Sequence, residues 1–350
     1  MRTRTGVVEH EQFGSSARPK RVDELLFLLH RAPMTKSLAA PGSDVGQWPV
    51  CAVLLATYNG SNFLSAQIDS ILAQQEVRTM IHVRDDGSSD ATREILSAYA
   101  SKFPEQIRIL PTASRRFGAA CGNFFSILHS VALDDFHYIA FADQDDIWLP
   151  RKLSRAIACL KEEKADGYAS NLTAFSEHDG SEWTIRKATK QRRFDHLFQS
   201  ASAGCTYVMS WRAARLVAER IGPVEASDWQ GMSHDWLCYA ICRSFGMKWL
   251  IDDWSGMRYR QHAHNQFGAM PGWSGTVARF KLLSEGWYRA TFLKNRRFLN
   301  PDNVAEQEIC DHVESLLWRD RLWLSLRVFE FRRESKHRLA LLAAILTGRF

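Results

Sequence analysis

Val50-Cys51-Ala52-Val53-Leu54-Leu55-Ala56-Thr57-Tyr58-Asn59-Gly60 sets a continuous apolar run against a polar turn. A run of that length with no polar alternation reads as a strand buried on both faces, and Asn-Gly closes it as a turn. Leu64, Ile68, Ile71 and Leu72 follow at helical spacing, with Asn62 as the expected N-cap. Further along, the same unit recurs. Met80–Arg84 is an expected strand, 90–100 a helix, Ile107–Leu110 a strand, 119–131 a helix, and Tyr138–Ala142 a strand with a helix beginning near Pro150. Strands alternating with helices over about 110 residues predict an α/β fold with a mainly parallel, helix-flanked, Rossmann-like sheet. Beyond it, strands are expected at 167–174, 203–209 and 248–251, with helices near 211–220 and 234–244. From about 275 the pattern is helical.

The chain has 350 residues, of which 45% are hydrophobic and 24% charged, a composition that excludes disorder, collagen and coiled coil as the main state. The net charge of +6 suggests an anionic partner, but its placement matters more than its sum. Residues 49–280 carry 25 basic and 25 acidic groups, whereas residues 319–350 alone carry 8 basic and 3 acidic. Seven scattered cysteines without a CxxC read as buried thiols in a reducing compartment. No window is apolar enough for a spanning helix, and the N-terminus has no signal-peptide core.

Three polar turns follow strands, at the sheet edge where open α/β folds bind ligands. Asp143-Gln144-Asp145-Asp146 is the most pointed of them. Three carboxylates within four residues repel one another, and a divalent cation with oxygen preference, Mg²⁺ or Mn²⁺, relieves that repulsion. A solvated acidic turn capping the next helix is the plainer alternative. Asp85-Asp86-Gly87-Ser88-Ser89-Asp90 is by itself a tight turn with a helix cap; an exposed carboxylate there also suits a base or ribose.

Taken together, Ala56-Thr57-Tyr58-Asn59-Gly60, the Asp85–Asp90 turn and Phe141-Ala142-Asp143-Gln144-Asp145-Asp146-Ile147-Trp148 resemble the inverting family 2 glycosyltransferases of the GT-A fold, over roughly residues 49–265. The last segment, with Tyr259-Arg260-Gln261-His262, is most similar to rhamnosyltransferase-type bacterial members. The resemblance implies a nucleoside-diphosphate sugar donor, dTDP-rhamnose or a UDP-sugar. Thr57, Tyr58 and Asn59 would line the base pocket, and Asp85 or Asp86 would hold the pyrimidine or ribose. Gly118 and Asn123 would lie near the donor, with Arg115 and Arg116 able to neutralise diphosphate. Asp143 and Asp145 would form the DxD pair, Asp145 being the metal ligand of choice and His262 a further one, with His264 as competitor. Arg260 would close over the diphosphate.

The resemblance also requires a late catalytic carboxylate. Asp235 in His234-Asp235-Trp236 stands at that position, with Asp228 as rival. A carboxylate there would accept the acceptor proton as bonding to the sugar develops. Many members have Glu where this chain has His234, which leaves His234 without an assigned role.

Residues 1–48 are expected to be a flexible leader, 49–270 the catalytic domain, and 271–350 a helical extension. In the extension, Trp318, Trp323, Phe329 and Phe331 interleave with arginines, a pattern suited to an anionic membrane surface. With a lipid-linked or surface-polysaccharide acceptor, this places the chain on the cytoplasmic face of the membrane. Nucleic acid is disfavoured by the neutral centre. A sugar-nucleotide pyrophosphorylase would need a basic Gly-rich loop after the first strand, and residues 57–61 contain no basic group. A non-catalytic nucleotide-binding scaffold is the other alternative, weakened by retention of every expected carboxylate.

Overall fold

The computed structural model describes residues 48–112, 116–177, 179–224, 229–261 and 286–350. The expected leader, apart from Trp48, lies outside these residues, as do Arg115, Asp228, His262, His264 and positions 271–285.

The first half follows the alternation. Strand β1 (Val50–Thr57), helix α1 (Leu64–Leu72), β2 (Arg78–Asp85), α2 (Thr92–Lys102), β3 (Ile107–Ile109), α3 (Ala120–Ser130) and β4 (Tyr138–Ala142) succeed one another. β1 pairs in parallel with both β2 and β4, and β2 with β3. Then come β5 (Ile147–Trp148), α4 (Lys152–Glu162), β6 (Gly167–Ser176), β7 (Glu182–Ile185), β8 (Val208–Ser210), α5 (Trp211–Ile221), α6 (His234–Ser244) and β9 (Trp249–Gln261). The sheet runs β3-β2-β1-β4-β8-β6-β9-β5, with β7 on β6. Its second half is mixed rather than parallel: β8 is antiparallel to β4 and β6, and β5 to β9.

β1 shows why the run has no alternation. Val50, Ala52 and Leu54 face one buried cluster with α3, α5 and α6, while Cys51, Val53 and Leu55 face another with α1 and α4. Successive side chains point to opposite faces, so a strand covered on both sides must be apolar throughout. The seven cysteines are free thiols, all buried except the half-buried Cys159.

Helices α7 (Trp287–Arg296), α8 (Val304–Ser315), α9 (Trp318–Leu326), α10 (Val328–Phe331) and α11 (Ser335–Thr347) gather on a third cluster. That cluster includes Phe194, Phe198 and Trp236 from the preceding chain. Buried polar links reinforce it: His196 meets Glu306 at 2.8 Å, and the Arg333 guanidinium donates to Ser200 O and Ala201 O. No described helix is long and apolar enough to cross a membrane.

Candidate functional site

Strand register brings the three polar turns together. Thr57 lies opposite Asp85 on β2, and Leu55 lies opposite Ala142 on β4. The chain therefore leaves β1, β2 and β4 at one carboxyl edge, where an α/β sheet opens to ligand.

The first two turns are laced to each other. The Asn59 N–H donates to Ser88 Oγ at 2.8 Å, and Asn59 Oδ1 accepts from the Ser89 N–H at 2.9 Å. Asn59 holds a left-handed backbone, φ 48°, a conformation asparagine tolerates better than most residues. Asp85 is buried and fully engaged. Its oxygens accept from the Gly87 and Ser88 N–H groups, Ser88 Oγ, Arg93 Nε and Thr57 Oγ1. Burial alone would raise its pKa, but the bonds from Ser88 and Arg93 outweigh that and hold it below the ordinary value. Asp85 thus shapes its own turn instead of facing a base. Asp86 accepts from the Phe117 N–H at 2.8 Å and the Gly118 N–H at 2.9 Å, one bond per oxygen, so each oxygen keeps accepting capacity. Gly118, at φ +66°, allows that bend. Asn123 is buried and donates to Arg84 O at 3.1 Å, bracing α3 against the carboxyl end of β2. Tyr58 is exposed at this edge, with the Arg116 guanidinium 4.0 Å over its ring.

The third turn differs in its electrostatics. The Asp143 carboxyl is pushed up to about 7, by burial first and then by the charges of Asp145 and Asp235. Asp146 is fully buried and raised well above its ordinary value for the same reasons, with Asp145 and Asp143 as the repelling neighbours. The Asp146 Oδ1 accepts from the Arg260 N–H at 3.3 Å, and the carboxyl lies beside the buried Cys205 thiol. Ligand atoms of Asp143, Asp146 and Cys205 all lie within 4.8 Å of one another. Burial and these carboxylates also drive the thiol pKa well up. Behind the turn, Lys152 is buried with its Nζ 3.6 Å over the Trp148 ring, and burial lowers it to about 8.

Arg260 reaches this turn because β5 and β9 are antiparallel, with Ile147 opposite Arg258. Its Nε donates to Asp145 O at 2.8 Å, its guanidinium pairs with Glu177, and the group stacks over Phe63 and Phe175. In this structure Arg260 is a buried strut under the acidic turn.

Asp235 stands in the first turn of α6. Ser233 Oγ and the Trp236 N–H both donate to Oδ1, and no described residue donates to Oδ2. Its field reaches Asp143, which places both carboxylates in one electrostatic environment. His234 beside it packs 4.3 Å from the Phe124 ring and 5.2 Å from the Phe141 ring. A Cβ on Gly204 would come within 2.0 Å of His234 Nε2, so the imidazole rests directly on that backbone. Burial lowers the His234 pKa, against the opposing pull of Asp235. His234 therefore fixes α6 over the end of β4, and Asp235 with it.

Several participants carried no signal in the sequence. Gln144 joins the acidic turn to Tyr58, Cys205 backs the carboxylates, and Glu177 holds Arg260. The acidity of residues 143–146 was visible, whereas the thiol arriving from Cys205 and the pairing of Gln144 with Tyr58 were not.

The family described as "Glycosyl transferase family 2" matches residues 52–217. The chain is 32% identical, over 85% of its own length and 100% of the relative's, to a Shigella flexneri protein named dTDP-rhamnosyl transferase RfbG. It is 24% identical to the Escherichia coli protein WfgD, over 45% of this chain and 58% of that one; WfgD is named a UDP-Glc:alpha-D-GlcNAc-diphosphoundecaprenol beta-1,3-glucosyltransferase. Among solved structures, residues 1–349 of S. aureus TarS in complex with UDP align with TM-score 0.51 and 13% identity, covering 86% of this chain and 71% of that one. At that identity the likeness concerns the fold.

Proposed function

We propose, from the premise that the chain belongs to glycosyl transferase family 2 and is a glycosyltransferase of the GT-A fold, that it is an inverting enzyme using a nucleoside-diphosphate sugar, specifically dTDP-L-rhamnose. The observation that carries this reading is the meeting of the cation-seeking turn, Asp143–Asp146, with Asp235 at the edge where Tyr58 is exposed. The choice of sugar is supported by the full-length similarity to a protein named as a dTDP-rhamnosyl transferase.

The chemistry of the residues fits a divalent cation. Asp143 and Asp145 supply hard oxygen donors, and the repulsion that raises Asp143 is what a cation would relieve. When bound, Mg²⁺ or Mn²⁺ would offset negative charge on the departing diphosphate. Tyr58 and Asn59 offer a wall for the base, and Asp86 keeps accepting capacity for base or ribose. Asp235 Oδ2 takes the acceptor hydroxyl proton as that oxygen attacks the anomeric carbon from the face opposite the diphosphate. The bond to the diphosphate breaks with its electron pair leaving on the phosphate oxygen. The transition state has oxocarbenium character, by analogy with other glycosyl chemistry.

The acceptor in this reading is a growing surface polysaccharide of O-antigen type, lipid-linked at the cytoplasmic membrane face. Trp318, Leu322 and Leu326, four residues apart on α9, are exposed along with Phe329, Leu339 and Leu346, and Arg319, Lys336 and Arg349 are exposed among them. An apolar stripe within a basic surface complements an anionic bilayer. Co-sedimentation with phosphatidylglycerol-containing vesicles but not pure phosphatidylcholine, lost on Trp318→Ser with Leu322→Ser, is the expected result. Equal behaviour with both vesicle types contradicts it.

A thermal-shift screen of dTDP, UDP and GDP sugars with and without Mn²⁺ tests the donor. A Mn²⁺-dependent shift selective for dTDP-rhamnose is expected, and a UDP or GDP preference overturns the assignment. Asp235→Asn is expected to bind donor normally and lose turnover by about 10³-fold or more. Wild-type turnover in that variant removes Asp235 as the base.

A further inference from the structure

Gln144 lies between the two aspartates of the DxD pair, and its side-chain amide turns back onto the backbone of Tyr58. Its Oε1 accepts from the Tyr58 N–H at 2.8 Å, and its Nε2 donates to Tyr58 O at 3.0 Å. One primary amide thereby pairs with both backbone groups of one residue, the reciprocal exchange that neighbouring antiparallel residues make. The backbone ladder between β1 and β4 ends at the pair Leu55 and Ala142. The Gln144 amide bridges the two chains beyond that point.

Space for it is made by Gly60. A Cβ at Gly60 would stand 2.3 Å from Gln144 Oε1 and 2.5 Å from its Cδ, which no packed structure accommodates. Gly60 has no left-handed backbone demanding glycine, so the absent side chain serves the amide. The clamp also has consequences on both sides. Tyr58 carries Arg116 on its exposed ring, and Gln144 is covalently next to Asp143 and Asp145.

We infer that Gln144 is a positioning residue that fixes the distance between the base-facing wall at Tyr58 and the acidic turn, so that one nucleoside diphosphate spans both. This rests on the reading of the edge as a nucleoside-diphosphate site. Without the clamp each loop keeps its own fold but the two lose register.

The test is calorimetric binding of dTDP with Mn²⁺, alongside melting temperature. Gln144→Ala is expected to weaken dTDP binding about tenfold, two hydrogen bonds' worth of ordering. Its melting temperature should stay within about 2 °C of wild type, because the residue is partly exposed. Gln144→Glu should be no better than Ala, since its carboxylate accepts from the Tyr58 N–H but opposes Tyr58 O. Gly60→Ala should weaken binding comparably by expelling the amide. In the Gln144→Ala background, Gly60→Ala should then add less than about twofold, because the obstructed group is gone. Gln144→Ala binding within twofold of wild type overturns the clamp, as does an undiminished Gly60→Ala effect in the double variant. Wild-type protein that binds neither dTDP nor UDP with Mn²⁺ overturns the site reading itself, a failure visible before any variant is made.

Discussion

Two acidic turns leave β2 and β4, the strands on either side of β1, at the same sheet edge, and they are electrostatic opposites. In the Asp85–Asp90 turn the carboxylates of Asp85 and Asp90 are saturated by donors. Asp85 takes bonds from Ser88, Gly87 and Arg93, and Asp90, bonded by Thr92 and Ser61, is held down at about 2. In the Asp143–Asp146 turn burial and mutual repulsion win, Asp143 rising to about 7 and Asp146 well above its ordinary value. A carboxylate cluster becomes a scaffold when backbone N–H groups and an arginine converge on it. It stays hungry for a cation when they do not. Each turn carries three aspartates, but only the first brings its own Gly and Ser donors.

Substitutions should separate the two turns. The largest effect is expected for Asp145→Ala, a loss of transfer of about 10³-fold with little change in melting temperature, since the charge removed is one that repels Asp143 and Asp146. Loss of folding in this variant, measured by circular dichroism, would make the third turn a scaffold too. Next, Asp85→Asn should cost about 2–3 kcal/mol of stability by leaving Arg93 and the Gly87 and Ser88 N–H groups poorly met. A urea titration with an unchanged midpoint would erase the distinction from the other side.

The smallest effect is in pH dependence, where the signs differ. Asp85 and Asp90 have folded values below the ordinary aspartate value of 3.8, so their contribution is present above about pH 4 and is lost as pH falls toward 2. Asp143 is shifted the other way, so the folded protein binds the extra proton and loses stability as pH rises from about 4 to about 7. Chelator-treated protein should therefore melt about 3 °C lower at pH 8 than at pH 5, a slope that Asp143→Asn flattens. A slope unaltered by Asp143→Asn places the titration elsewhere.

The first half of the fold was legible because β1, β2 and β4 are buried on both faces and announce themselves as apolar runs. The second half was not. β5 has two residues and β8 three, and each is a strand only because a distant partner pairs with it. β9 runs from Trp249 to Gln261, far beyond the expected 248–251, since polar and aromatic residues on a partly exposed strand lack a period. The expected strand at 203–209 is a 3₁₀ turn, Gly204–Thr206, before the short β8. Asn62 is not the cap of α1: Phe63 takes that position, and Gly60 O accepts from the Phe63 and Leu64 N–H groups. Of the site, Tyr58, Asn59, Asp143, Asp145 and Asp235 were readable as polar residues at element ends. The engagement of Asp85 by Arg93 and of Arg260 by Glu177 was not, because side-chain pairing between separate elements leaves no local pattern.

The most direct measurement is Mn²⁺-dependent calorimetric binding of dTDP to wild type, Asp145→Ala and folded Asp85→Asn. The account predicts that wild type and Asp85→Asn bind with Mn²⁺ and that Asp145→Ala does not. Binding retained by Asp145→Ala, or lost by a folded Asp85→Asn, would contradict it.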